Sequence, residues 1–161
     1  MAGEDMRICE ELVALLKEKK ALVATAESCT GGLVAANLVS VAGASEVFHA
    51  GFVTYANEVK EKLIGVSHET LEKYGAVSEQ TAKEMAVGAA REGEAETSIA
   101  TTGIAGPGGG SAEKPVGLVY IGCSAFGEVL VKKYQFAGNR EEIRQAAALA
   151  GVRQLKEMLE R

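Results

Sequence analysis

The stretch Ala24-Thr25-Ala26-Glu27-Ser28-Cys29-Thr30-Gly31-Gly32 decides how the chain folds. The apolar run Ala21 to Ala26 reads as a buried strand, and a helical pattern from Leu33 to Val39 follows a cluster of small polar residues. Ser28 therefore sits on a tight strand-to-helix turn, close to the free N–H groups of a helix start, where negative charge is favoured. A serine there is a helix cap, a phosphate ligand or a nucleophile, and spacing alone favours the cap.

Working outward, residues 4–20 place Met6, Ile8, Leu12, Val13, Leu15 and Leu16 among Glu and Lys, an amphipathic helix. After the opening turn and its helix, Val47 to Tyr55 is rich in β-formers and reads as a second strand. Asn57 is the expected N-cap of a short helix, Glu58 to Ile64. Ser67 to Tyr74 is a further short helix ended by Gly75, and Ser78 caps a longer one reaching about Glu92. Thr97 to Thr102 is a β-branched strand. The segment Gly103 to Gly117 holds six glycines and both prolines, so it is irregular. Gly117–Ser124 and Val129–Phe136 form a hairpin through Phe126-Gly127, and Asn139 with Glu142 begins a capped helix running to near Arg161. This order predicts a single domain, residues 1–161, of the α/β class. Its expected architecture is a three-layer α/β/α sandwich around a mixed, mostly parallel sheet.

With 161 residues, 47% of them hydrophobic and 24% charged, the chain has the balance of a globular domain. A net charge of −5 argues against a general nucleic-acid binder. No apolar run reaches membrane-spanning length and Met1 to Asp5 lacks a signal-peptide pattern, so no membrane association and a cytoplasmic location are expected. Three cysteines (Cys9, Cys29 and Cys123) without CxxC spacing suggest neither a disulfide framework nor a zinc site. Two histidines, His49 and His68, make a His-based metal centre or a Ser-His-Asp triad unpromising.

In an open α/β sheet, ligands collect at the carboxyl ends of parallel strands. Three segments reach such ends with polar residues: Glu27 to Thr30, Thr54 to Asn57, and Thr101 to Gly103. Cys29 rivals Ser28 as a nucleophile, since helix starts lower thiol pKa values, but a buried structural thiol is the simpler reading. Lys60 lies in the first turn of the helix after Asn57, against the macrodipole. That field and partial burial would lower its pKa and allow it to act as a base towards serine. Sequence alone still favours a solvated lysine beside Glu58 and Glu61. Tyr55 is a possible hydrogen-bond donor to a reacting group, or a half-buried strand aromatic. The loop Gly103 to Ser111, with Gly103, Gly106 and nearby Lys114, brings backbone amides within reach of a phosphate or oxyanion. Arg140, in the first turn of the last helix, pairs with a phosphate or carboxylate or is exposed.

Several motifs together resemble one family. They are Ala26-Glu27-Ser28-Cys29-Thr30-Gly31-Gly32, Gly51-Phe52-Val53-Thr54-Tyr55-Ala56-Asn57-Glu58-Val59-Lys60, Gly75-Ala76-Val77-Ser78, Thr102-Gly103-Ile104-Ala105-Gly106-Pro107 and Glu113-Lys114-Pro115-Val116-Gly117. Over essentially its whole length the chain is similar to the C-terminal domain of the competence/damage-inducible CinA proteins, whose stand-alone form is a bacterial nicotinamide mononucleotide deamidase. The N-terminal nucleotide-binding domain of longer CinA proteins has no counterpart in these residues. The resemblance implies a Ser/Lys amidohydrolase with no cofactor or metal, an α/β/α fold and a homodimer or larger assembly. It places the nucleophile on Ser28, the base on Lys60, the essential tyrosine on Tyr55 and a supporting hydroxyl on Thr102. The essential arginine falls on Arg140, or on Arg144 one turn later. Amides of Cys29 and Thr30 would hold an oxyanion, and the Gly103–Gly110 loop, Lys114 or Arg140 the 5′-phosphate. The competing expectation is a nucleotide-binding module without turnover. A Lys60 amine about 3 Å from the Ser28 hydroxyl separates the two.

Overall fold

The computed structural model describes all 161 residues. The first strand, β1 (Val23–Glu27), is interior to the sheet and buried at every position. On one side it pairs in parallel with the edge strand β2 (Phe48–Val53), and on the other with β3 (Thr97–Gly103). β4 (Leu118–Ala125) runs antiparallel to β3, and β5 (Glu128–Gln135) returns antiparallel to β4. The sheet order is β2-β1-β3-β4-β5. Four strands therefore point one way and β4 the other, while two of the four pairings are parallel. The β4–β5 turn has positive φ at both Phe126 (50°) and Gly127 (89°), the twist a two-residue hairpin needs.

Helices cover both faces. α1 (Gly3–Glu18), α2 (Leu33–Val39) and α6 (Arg140–Leu159) pack together on one face. They bury Leu12, Leu16, Val34, Leu38, Ala147 and Leu155 against Val23, Ile99 and Ile121 of the sheet. The other face carries α3 (Asn57–Ile64), α4 (His68–Tyr74) and α5 (Glu79–Glu92). Here Ile64, Leu71, Met85 and Ala89 meet the small side chains of Ala26 and Ala100. Strand alternation explains the division, because neighbours such as Ile99 and Ala100 point to opposite layers. No helix is long and apolar enough to cross a membrane.

Caps fall largely where sequence places them. Ser67 and Ser78 accept from Thr70 and Thr81 amides, and Asn139 with Glu142 closes a full capping box. Asn57 does not cap α3: Ala56 holds the extended cap position, and Asn57 is already helical. β2 also stops at Val53, two residues short of Tyr55, because the carbonyls of Thr54 and Tyr55 turn away to Lys60. The β1–β2 ladder shifts register once, between Val23 and Ala24, leaving His49 as an extra residue.

Candidate active site

The parallel trio β2-β1-β3 ends at one rim of the sheet, and the three polar segments meet there. The Ser28 amide donates to Thr101 O at 3.0 Å, and the Thr54 amide to Glu27 O at 2.8 Å, so both neighbouring segments are tied to the Ser28 turn.

Lys60 comes to this rim from α3 and is fully buried. Its Nζ lies 3.0 Å from Ser28 Oγ, 2.8 Å from Thr54 O and 2.9 Å from Tyr55 O. Burial, rather than the helix field, is what acts on it, pulling its pKa from 10.5 down to about 8. An ammonium has three hydrogens for these three oxygens. A neutral amine has two, which the carbonyls take, leaving its lone pair on the Ser28 hydroxyl. The two carbonyls thus aim the amine at Ser28 in either state. Cys29 is buried too, and burial pushes its thiol up to about 11, so it stays protonated at neutral pH and is no rival nucleophile.

Ser28 is not a helix cap. The residue before α2 is Gly32, and no side chain caps from that position. The work falls to Glu27, only 1% exposed, whose carboxylate reaches forward over the turn. Oε1 accepts from the Thr30 hydroxyl and from the amides of Gly32 (3.2 Å) and Val34 (2.9 Å), and Oε2 from Ala35 (3.0 Å). Thr30 Oγ1 also lies 2.7 Å from Thr101 Oγ1, which ties the turn to β3. The positive end of α2 is therefore closed by the protein's own carboxylate, and Ser28 Oγ is left for Lys60. Sequence reasoning gave Glu27 no role. Its position three residues before Thr30 and five before Gly32 was the available signal.

Arg144 of α6 holds the same turn from the carbonyl side. Its Nε and Nη2 donate to Cys29 O and Thr30 O at 3.0 and 3.1 Å. Gly31 and Gly32 carry φ of +58° and +109°, and a Cβ on Gly31 would come within 3.1 Å of that guanidinium. Arg140 lies farther off and donates to Gly106 O at 2.7 Å, anchoring the glycine-rich loop. Arg144, not Arg140, touches the Ser28 turn.

The remaining expected residues are less central. The Tyr55 side chain is 63% exposed and makes no hydrogen bond; its carbonyl is what reaches Lys60. Thr102 is buried with its hydroxyl on Ala76 O at 2.8 Å, fixing the segment before α5 rather than facing Ser28. Lys114 Nζ donates to Tyr74 O at 2.7 Å, at the carboxyl end of α4. Gly103 closes β3, and Gly106 offers its carbonyl rather than its amide to a partner.

Residues 5–159 match the family model described as CinA C-terminal domain. The chain is 51% identical over 158 residues to a competence-damage inducible protein of Clostridium beijerinckii, covering 98% of this chain and 38% of that protein. It is 54% identical over 141 residues to a CinA-like protein of Kosmotoga olearia, covering 87% and 34%. The chain thus spans less than two fifths of the length of these relatives. Among solved structures, the competence/damage inducible protein CihA of Agrobacterium tumefaciens superimposes with a TM-score of 0.95 at 43% identity, covering 100% of this chain and 98% of that one. A CinA superfamily protein of Escherichia coli gives 0.93 at 36% identity, with 98% and 93% covered. The chain belongs to the CinA C-terminal domain family.

Proposed function

We propose that the protein is an amidohydrolase that converts nicotinamide mononucleotide to nicotinate mononucleotide and ammonia. The observation that supports this most is the 3.0 Å contact between the Ser28 hydroxyl and the buried Lys60 amine, an amine shielded from water and aimed by two carbonyls. A binding module has no need to bury a lysine against a serine. The family resemblance supplies the substrate.

Neutral Lys60 accepts the Ser28 proton while Oγ attacks the carboxamide carbon, and the carbonyl electron pair moves to oxygen. The amides of Cys29 and Thr30, which donate to no other residue, stabilise that oxyanion. Protonated Lys60 passes its proton to the departing nitrogen, and the C–N bond breaks to give ammonia and a nicotinoyl ester on Ser28. Water then attacks the ester, Lys60 takes its proton and returns it to Ser28 Oγ, and nicotinate leaves. Arg144 supports the turn, and the Gly103–Gly110 loop with Arg140 and Lys114 meets the 5′-phosphate. Tyr55, at the exposed rim, contacts the substrate. The protein acts on a phosphorylated nucleotide in the cytoplasm, as a homodimer or larger assembly.

The test is ammonia release from nicotinamide, its riboside, its mononucleotide and the dinucleotide, with Ser28→Ala alongside. The mononucleotide is expected to be turned over fastest, and Ser28→Ala to lose activity by at least about 1,000-fold while melting like the parent. Undiminished ammonia release by Ser28→Ala would remove Ser28 as nucleophile.

A further inference from the structure

Along the run from Ser28 to Ala36, every backbone amide donates to another residue except two consecutive ones. Ser28 donates to Thr101 O, Gly31 to Ser28 O, Leu33 to Thr30 O and Ala36 to Gly32 O. Gly32, Val34 and Ala35 donate to Glu27. Only Cys29 and Thr30 donate to no other residue, and they directly follow Ser28. The freedom of the Thr30 amide has a mechanical cause. A peptide plane is rigid, with its N–H opposite its C=O. Holding the Cys29 carbonyl on Arg144 turns the Thr30 N–H away from Arg144. That orientation lasts only if the turn cannot rotate, and the restraint on its other side is Glu27. Through one carboxylate it grips the Thr30 side chain and three amides of the α2 start. Arg144 and Glu27 make no hydrogen bond or ion pair with each other; Arg144 bonds to carbonyls of the turn, and Glu27 to the Thr30 hydroxyl and to amides at the start of α2. Their unlike charges meet unlike ends of peptide groups.

We propose that Glu27 is a positioning residue for the amide hydrolysis, holding the Cys29 and Thr30 amides as the oxyanion donors while touching neither substrate nor reacting atoms. This rests on the amidase reading of Ser28 and Lys60. A carboxylate suits the site because three of its four partners are backbone amides that can only donate. Glutamine would set an NH₂ group against the Ala35 amide, or against the Gly32 and Val34 amides if flipped.

Steady-state kinetics on nicotinamide mononucleotide with Glu27→Gln, Glu27→Asp and Thr30→Val test it. Glu27→Gln is expected to lower kcat by about 10- to 100-fold with KM within about twofold, since oxyanion donors act mainly in the transition state. The pH at which the rate levels off should not move, because the Lys60 contacts are untouched. Thr30→Val, which leaves Glu27 on the helix, should show a smaller loss of the same kind, and Glu27→Asp should recover part of the rate. Parent-like kcat in Glu27→Gln overturns the proposal, as does a loss expressed in KM alone. Should Glu27→Gln fail to fold, parent-like kcat in both other variants overturns it. If the parent releases no ammonia from any nicotinamide compound, the amidase reading itself has failed. Hydrogen exchange across residues 28–36 then decides the restraint: at least about tenfold faster exchange confined to that segment in the Glu27 variant supports it, and unchanged exchange removes it.

Discussion

Lys60 carries its own orientation. Its amine bonds to the carbonyls of Thr54 and Tyr55, six and five residues earlier, so base and anchors belong to one short segment. With the amine at a pKa of about 8, roughly a tenth is neutral at pH 7. Activity should therefore rise about tenfold per pH unit below 8 and level off above it, as a base that must be unprotonated requires. A pH–rate profile of kcat/KM measures this, and Lys60→Met should remove both the limb and at least about 1,000-fold of the rate. At this scale the sequence was partly legible. Ser28 and Lys60 lie in segments whose local pattern places them at strand ends. Partial burial was readable as one cause of a low lysine pKa, but its full extent was not, because it depends on how α3 folds back over the rim. Nor was the choice of Arg144 over Arg140, since its partners lie 115 and 114 residues away.

Among the elements, α5 is the one that fixes α3, and it does so through a missing side chain. A Cβ on Gly88 would stand 1.9 Å from Ile64 O, the carbonyl at the end of α3 that also accepts from Arg91. Gly88→Ala raises helix propensity but forces the two helices apart. It is expected to destabilise the protein by about 1 to 3 kcal/mol in urea unfolding, and to slow turnover because α3 carries Lys60. Element boundaries were readable where capping chemistry is local, as at Ser67, Ser78 and Asn139. Asn57 misled because an Asn before a helical pattern suits both the cap and the first helical position, and the extended backbone at Ala56 decides between them. Ser28 misled for a different reason. The donors a cap would take were already held by Glu27, a carboxylate on the strand side of the turn.

For the whole molecule, burying Lys60 links the chemistry to stability. Its folded pKa of about 8 lies below the ordinary 10.5 of the unfolded chain, so the unfolded state holds the proton more tightly. Below pH 8 both states are protonated and the full cost, up to about 3 kcal/mol, is present; it is relieved as pH rises from 8 towards 10.5. Urea unfolding of the parent and Lys60→Met at pH 7 and pH 10 isolates this contribution, because other titrating groups cancel in the difference. The parent should gain about 2 to 3 kcal/mol relative to the variant at the higher pH. The architecture itself was legible in outline, since alternating β and α patterns and a Phe126-Gly127 hairpin leave few arrangements. Strand order was not, because β1 lies between β2 and β3 only through pairings between segments distant in sequence.

The extra residue at His49 has a consequence for how this site keeps its dimensions. Beyond it, Ala24 through Glu27 stay matched to Ala50 through Val53, which brings Ser28 level with Thr54. A slip of one residue would displace a strand by about 3.3 Å, as much as the whole gap between amine and hydroxyl. The ladder thus works as a ruler for the Ser28–Lys60 pair, and the bulge is slack placed upstream of the graduated part. Removing His49 would straighten the ladder without shifting Gly51 to Val53, whereas removing Phe52 would shift Lys60 by a full division.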